Sequence, residues 1–278
     1  MAGKRLKKTA KKRGRLAGTL AVLAALGILL TAGGSSGIAV GSPAEAATAE
    51  GLRLEEREET VRMEKAAPQP EEEKEASGPV PESEPVENDY FDDIVFMGDS
   101  RTEGFYLYSG MKQHGQYLYA VGATVESVFT KNAWEIQKGR KVPLLDALAE
   151  LDCKKVYLMF GVNELGWTKL ENFTNQYSKL IDRIREDHPE AQVVLQSILP
   201  VTAKEDAKGT YVNNARIRTY NEALQTLAAE KDCPYINVAE AVTGPDGCLP
   251  VKWTTDGVHL NVEGCRVWLH YLRTHSVS

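Results

Sequence analysis

Ile94-Val95-Phe96-Met97 is an unbroken apolar run closed by Gly98. A strand with one wet face alternates apolar and polar residues, so a run without alternation needs a partner on both faces and fits the centre of a parallel sheet. The pattern returns at Val156 to Phe160 and at Val193 to Leu195, with shorter candidates at Tyr117 to Val121 and Tyr235 to Val238. Between these runs the apolar spacing becomes helical. Phe173, Tyr177, Leu180, Ile181 and Ile184 share one face, as do Ile217, Tyr220, Leu224 and Leu227. Five strand candidates alternating with helices predict an α/β domain of three layers, α/β/α, around a parallel five-stranded sheet.

The rest of the chain lacks this patterning. Its 278 residues carry a formal net charge of −6, to which residues 1–44 contribute +8, residues 45–88 contribute −9 and the remainder −5. The basic excess lies outside the part that can fold, which argues against a nucleic-acid binder built on a basic folded face. From Leu16 to Ala44 no residue is charged, and Arg and Lys fill the stretch before it, as in an export signal. Residues 1–46 therefore read in two ways. Ala44-Glu45-Ala46 offers a small-x-small cleavage site, while the early end of the apolar core at Gly33-Gly34-Ser35-Ser36 suits a retained membrane anchor. Both readings send the domain outward and predict an extracytoplasmic protein, secreted or anchored. Residues 47–88, rich in Glu, Pro and Ala and without an aromatic residue, are expected to be a disordered acidic linker. Residues 89–278 suffice for one domain with one core.

In a parallel sheet the ligand crevice lies beyond the carboxyl ends of the strands. The residues there are Gly98-Asp99-Ser100, then Gly122, then Gly161-Val162-Asn163-Glu164. Asp256-Gly257-Val258-His259 precedes the last helix, for which Asn261 is the expected N-cap. A serine hydroxyl becomes a useful nucleophile when a base takes its proton, and histidine is the usual base. His259 suits that role for Ser100, and Asp256 can fix the imidazole tautomer and stabilise its cation. The backbone N–H groups of Ser100 and Gly122 and the Asn163 side-chain amide can serve a tetrahedral oxyanion.

With these blocks in this order, residues 89–278 resemble the GDSL/SGNH hydrolase family: GDS at 98–100, a glycine at 122, GxN at 161–163 and DxxH at 256–259. The resemblance implies a flavodoxin-like sheet, Ser100, Asp256 and His259 as a catalytic triad, and Ser100, Gly122 and Asn163 as the oxyanion hole. It implies no cofactor. The activity it implies is that of a serine esterase working through an acyl-enzyme, and the expected extracytoplasmic location makes short acyl or O-acetyl groups of cell-surface glycans the expected substrates. An O-acyltransferase using the same triad, and a catalytically silent surface-binding module, are the alternatives. Two departures from the family pattern stand out. Glu164 replaces the usual Asp after Asn163, and Gly122 sits in the sequence AVGAT. GDSRTEG also differs from the GxSxG elbow of the larger α/β-hydrolases.

Other residues have competing roles. Arg101 and Glu164 follow proposed catalytic residues and can pair across the site, or serve structure. Trp167, Trp253, Tyr106 and Tyr108 can wall a substrate pocket or fill the core. Cys153, Cys233, Cys248 and Cys265 match no zinc spacing; a Cys248–Cys265 bridge would brace the His259 loop, and free thiols are the alternative. His114, His188, His270 and His275 are expected in surface or packing positions. GDSRTEG has neither the lysine nor the spacing of a phosphate-binding loop.

Overall fold

The computed structural model describes residues 78–278. Strand β1 (Ile94–Gly98) leads into helix α1 (Ser100–Tyr108), followed by β2 (Gln116–Tyr119), β3 (Trp134–Gln137), β4 (Arg140–Val142) and a short α2 (Leu144–Leu148). Next come β5 (Lys155–Met159), α3 (Leu170–Asp187), β6 (Gln192–Gln196), α4 (Ala203–Asp206) and α5 (Asn214–Glu230). β7 (Tyr235–Ile236), α6 (Val238–Ala241) and α7 (Val262–Thr274) complete the order. The main sheet has five strands, all parallel, in the order β2-β1-β5-β6-β7. In this flavodoxin-like order the strand sequence changes direction between β1 and β5, and that is where a doubly wound sheet opens a crevice.

The apolar runs are explained by what lies on either side of them. Val95 and Met97 belong to the cluster that holds Phe173, Tyr177 and Leu180 of α3 and Ile217 and Leu224 of α5. Ile94 and Phe96 point the other way, into a cluster with Phe105 of α1 and Trp268 and Leu272 of α7. Every residue of β1 is buried, as a central strand between two helical layers requires. Trp268 lies against Phe105 with ring centroids 4.5 Å apart, and its indole N–H donates to Gln196 Oε1 at 3.0 Å, fixing α7 to the end of β6. The second and fifth strand candidates prove shorter than the sequence suggested, because the chain turns at Ala120 to Gly122 and enters α6 after Asn237. The β3–β4 hairpin was not foreseen.

Among the described residues no helix is long and apolar enough to cross a membrane. The segment expected as signal or anchor, and most of the expected linker, lie outside the described residues. The packed domain begins upstream of residue 89, however. The Val80 N–H donates to Tyr235 O at 2.8 Å, Ser83 N–H to Thr274 O at 2.6 Å and Val86 N–H to Arg273 O at 3.0 Å. Val80 and Val86 also pack on the α1/α7 side of the core. Composition suggested a spacer because the 47–88 segment is rich in Glu, Pro and Ala and has no aromatic residue, and Pro79, Pro81 and Pro85 fall in its last part. The prolines instead leave an extended strap that bonds edge strand β7 at Tyr235 and the C-terminal end of α7 at Arg273 and Thr274.

A chain beginning at residue 89 should therefore be less stable than one beginning at residue 78. Three backbone hydrogen bonds at about 1 kcal/mol each correspond to a melting temperature lower by roughly 5 to 10 °C. Equal melting of the two chains would show that the strap adds nothing.

Candidate active site

β1 and β5 end level, with Gly98 opposite Met159 in the register, so the loops that leave them start side by side. Asp99 is extended and caps α1, its Oδ1 accepting the Arg101 N–H at 2.8 Å. Ser100 is the first residue of the helix, where a backbone N–H has no intrahelical acceptor. Its Oγ lies 2.9 Å from His259 Nε2, and His259 Nδ1 lies 2.7 Å from Asp256 Oδ2. The sequence candidates Ser100, His259 and Asp256 thus form one hydrogen-bonded chain.

The loop carrying this histidine is shaped by its own side chains. Asp256 Oδ1 accepts the N–H groups of Val258 at 2.9 Å and His259 at 2.8 Å, an Asx turn that sets the imidazole over the serine. Partial burial works against the Asp256 charge, but the backbone N–H and imidazole of His259 and the N–H of Val258 outweigh it and hold the carboxyl at about 2. The Thr254 hydroxyl donates to His259 O at 2.7 Å and accepts the Gly257 N–H at 2.9 Å. From the neighbouring segment, Thr202 N–H donates to Gly257 O at 3.0 Å. Asn261 caps α7 through the Gly264 N–H, as the sequence indicated.

Gly122 has φ +72° and sits on an exposed loop whose Val121 lines the same cleft as Ser100. Asn163 Nδ2 donates to Ala123 O at 2.9 Å and stands 3.5 Å from Asp99 Oδ2, so only one of its N–H groups is firmly engaged. Glu164, fully buried, reaches the same loop: its Oε1 accepts the Val125 N–H at 2.8 Å. Adjacent residues after β5 therefore hold the segment that follows Gly122, at Ala123 and at Val125. This is the structural work of the Asn163-Glu164 pair, and sequence reading missed it.

Arg101 and Glu164 do not pair. Arg101, next to Ser100 in sequence, is buried, with Nη1 donating to Leu199 O at 2.8 Å. Burial pulls its pKa down to about 10 against the attraction of Asp99 and Asp256, so it remains a cation at neutral pH. Burial pushes the Asp99 carboxyl up, and Arg101 offsets part of that. Trp167 and Trp253 pack on the two cores, and Tyr106 packs against Tyr117 and Tyr119. Tyr108 does line the cleft, a space of about 320 Å³ bounded also by Glu103, Gly104, Leu107, Thr255 and Leu260. All four cysteines are free; Cys265 faces Gly104 O while Cys248 faces Asn214, so the considered bridge is not formed. The Asp92, Leu148 O and Tyr271 O contacts of His114, His188 and His275 are structural.

A parallel α/β/α sheet with serine, histidine and aspartate joined at its carboxyl edge defines the architecture of a serine hydrolase. Residues 96–267 match the GDSL-like Lipase/Acylhydrolase family, and the chain belongs to that family and is an ester hydrolase. A comparison with curated proteins finds no match. Among solved structures, the chain is similar to a Streptococcus pneumonia protein provisionally described as a platelet activating factor, at 24% identity and TM-score 0.54, covering 81% of this chain and 98% of that one. It is also similar to a GDSL-like lipase from Bacteroides thetaiotaomicron, at 17% identity and TM-score 0.50, covering 77% and 94%. At these identities the likeness concerns the fold.

The two outlying carboxyls of the site should leave opposite marks on stability. Burial raises Glu164 from 4.5 to about 8, against the Val125 N–H. The folded chain holds a proton that the unfolded chain releases, so this contribution is complete below pH 4.5 and is lost as pH rises through about 8. Asp256 behaves in reverse, its contribution being present at neutral pH and lost as pH falls from 3.8 through about 2. Glu164→Gln, which keeps an acceptor for Val125, should flatten the decline in melting temperature between about pH 5 and about pH 8. Parallel melting curves for variant and parent would contradict a neutral Glu164.

Proposed function

We propose that the protein is an extracytoplasmic serine esterase that hydrolyses carboxylic esters through Ser100, His259 and Asp256. The observation that carries this reading is the continuous chain from Ser100 Oγ to His259 Nε2 and from His259 Nδ1 to Asp256 Oδ2, opening on a cleft. Ser100 Oγ attacks the ester carbonyl and His259 Nε2 takes its proton. The oxyanion is met by the Ser100 and Gly122 N–H groups and the freer N–H of Asn163. Collapse of this intermediate breaks the bond to the alcohol, which leaves with the proton from His259. Water, deprotonated by the same imidazole, then attacks the acyl-enzyme and releases the acid. Asp256, ionised throughout, keeps Nδ1 protonated and stabilises the imidazolium. No step calls for a cofactor.

The substrate reading, short acyl groups including O-acetyl groups on surface glycans, is supported by the open cleft and by the export-type N-terminal sequence. Transfer to a glycan hydroxyl in place of water would use the same machinery. Product analysis with and without a glycan acceptor distinguishes the two, and a predominantly acylated acceptor would favour the transferase.

Ser100→Ala and His259→Ala should each lower kcat/KM for p-nitrophenyl butyrate by roughly 10⁴-fold or more, and Asp256→Asn by roughly 10²- to 10⁴-fold. Melting temperatures should change little for Ser100→Ala, and a fluorophosphonate should label the parent but not this variant. Full activity in Ser100→Ala or His259→Ala would refute the assignment.

A further inference from the structure

The proposed chemistry uses only the first residue of α1, yet a whole face of the helix borders the cleft. Successive neighbours of Ser100 on that face are Glu103, Gly104, Leu107 and Tyr108, and all line the cleft with Val121. Leu107, Tyr108 and Val121 are 41%, 43% and 66% exposed, so half of the exposed large hydrophobic residues among those described gather at this one cleft. Between Ser100 and Leu107 stands Gly104. Glycine inside a helix is unfavourable relative to alanine, and packing does not demand it here: an added Cβ would meet no heavy atom within 4 Å. Its backbone also lies outside the left-handed region, so conformation does not require it.

We propose that Gly104 keeps a groove open for the acyl chain of the substrate and sets the length that is accepted. The chain runs from the carbonyl at Ser100 over Gly104 to Leu107 and Tyr108, with Val121 as the facing wall. Seven residues of helix span about 10 Å, close to the extended length of an octanoyl group. Glu103, the carboxylate on this face, disfavours a chain that ends in an anion. The alcohol portion is left to the polar hollow across Asp256, bordered by Thr202, Lys204 and Thr255. This rests on the esterase reading and narrows its acyl range: neutral straight chains up to octanoyl are favoured over acetyl, which makes O-acetyl groups the poorer substrates.

The test uses p-nitrophenyl acetate, butyrate, hexanoate and octanoate with the purified chain. In the parent, kcat/KM should rise from acetate to hexanoate or octanoate. Gly104→Val should lower the octanoate-to-acetate ratio of kcat/KM about tenfold or more, the scale on which a pocket discriminates by a methylene or so. Gly104→Ala should lower it less while raising the melting temperature, a combination that a purely structural glycine would not give. Leu107→Asn, at the far end, should reduce octanoate hydrolysis and spare the ratio of butyrate to acetate. If both folded Gly104 variants keep the parental ratio while hydrolysing the series, the groove is refuted and the esterase reading stands. If the parent hydrolyses none of the esters and resists a fluorophosphonate, the esterase reading falls and the groove with it.

Discussion

Between the end of β1 and the neighbouring strand there is no room for a side chain. A Cβ on Gly98 would stand 2.5 Å from Met159 O and 2.1 Å from Thr102 Oγ1. This close approach lets β1 pass into α1 within one residue, so that Asp99 caps the helix and Ser100 becomes its first residue. Two properties of the serine follow. Its N–H is left without a helical acceptor, and its Oγ stands at the carboxyl edge of the sheet beside the loop that leaves β5. The position of Ser100 is a consequence of how tightly β1, β5 and α1 pack.

Carboxyl groups a few residues apart in sequence from Ser100, Asn163 and His259 are held in different states by different surroundings. Asp256 accepts backbone N–H groups and an imidazole in a half-open loop, which keeps it charged. Glu164 has a single N–H at Oε1, while Oε2 has no hydrogen-bond partner among the described residues, and burial favours its neutral form. Each state suits its position. A charge at Asp256 stabilises an imidazolium, whereas a charge at Glu164, beneath the Gly122 turn, would oppose the oxyanion that the turn is proposed to receive.

Much of this was legible because the signals are local. Apolar runs closed by glycine marked the central strands, helical spacing marked α3 and α5, and polar clusters after those strands marked the crevice. The departures arise where tertiary context decides. Pro79, Pro81 and Pro85 read as spacer because composition cannot show that β7 has an open edge to cover. The β3–β4 hairpin has weak alternation, with Trp134 and Ile136 half-buried, and Lys138-Gly139 at its turn was the available signal. Glu164 read as a neighbour of Asn163, since nothing in the sequence says that Val125 lies against it. Leu107 went unremarked and Val121 read as the end of a strand candidate, because an exposed apolar residue acquires meaning only from its neighbours in space.

Ser100 and His259 are 159 residues apart in sequence, and the histidine loop is largely open to solvent. What keeps their atoms 2.9 Å apart is the segment between β6 and α4. Two asparagines of α5 hold it as a strand would: Asn221 bonds both the N–H and the carbonyl of Ile198, and Asn214 does the same for Val201. The segment thus held offers Leu199 O to Arg101, next to Ser100, and Thr202 N–H to Gly257 O, inside the His259 loop. Both halves of the site are fastened to one rigid support, so an exposed loop is positioned without being buried. The same arrangement explains why Arg101 tolerates burial with two nitrogens that have no hydrogen-bond partner among the described residues. Asp99 and Asp256 stabilise its charge, and its bond to Leu199 O ties the residue after Ser100 to the segment that holds the His259 loop.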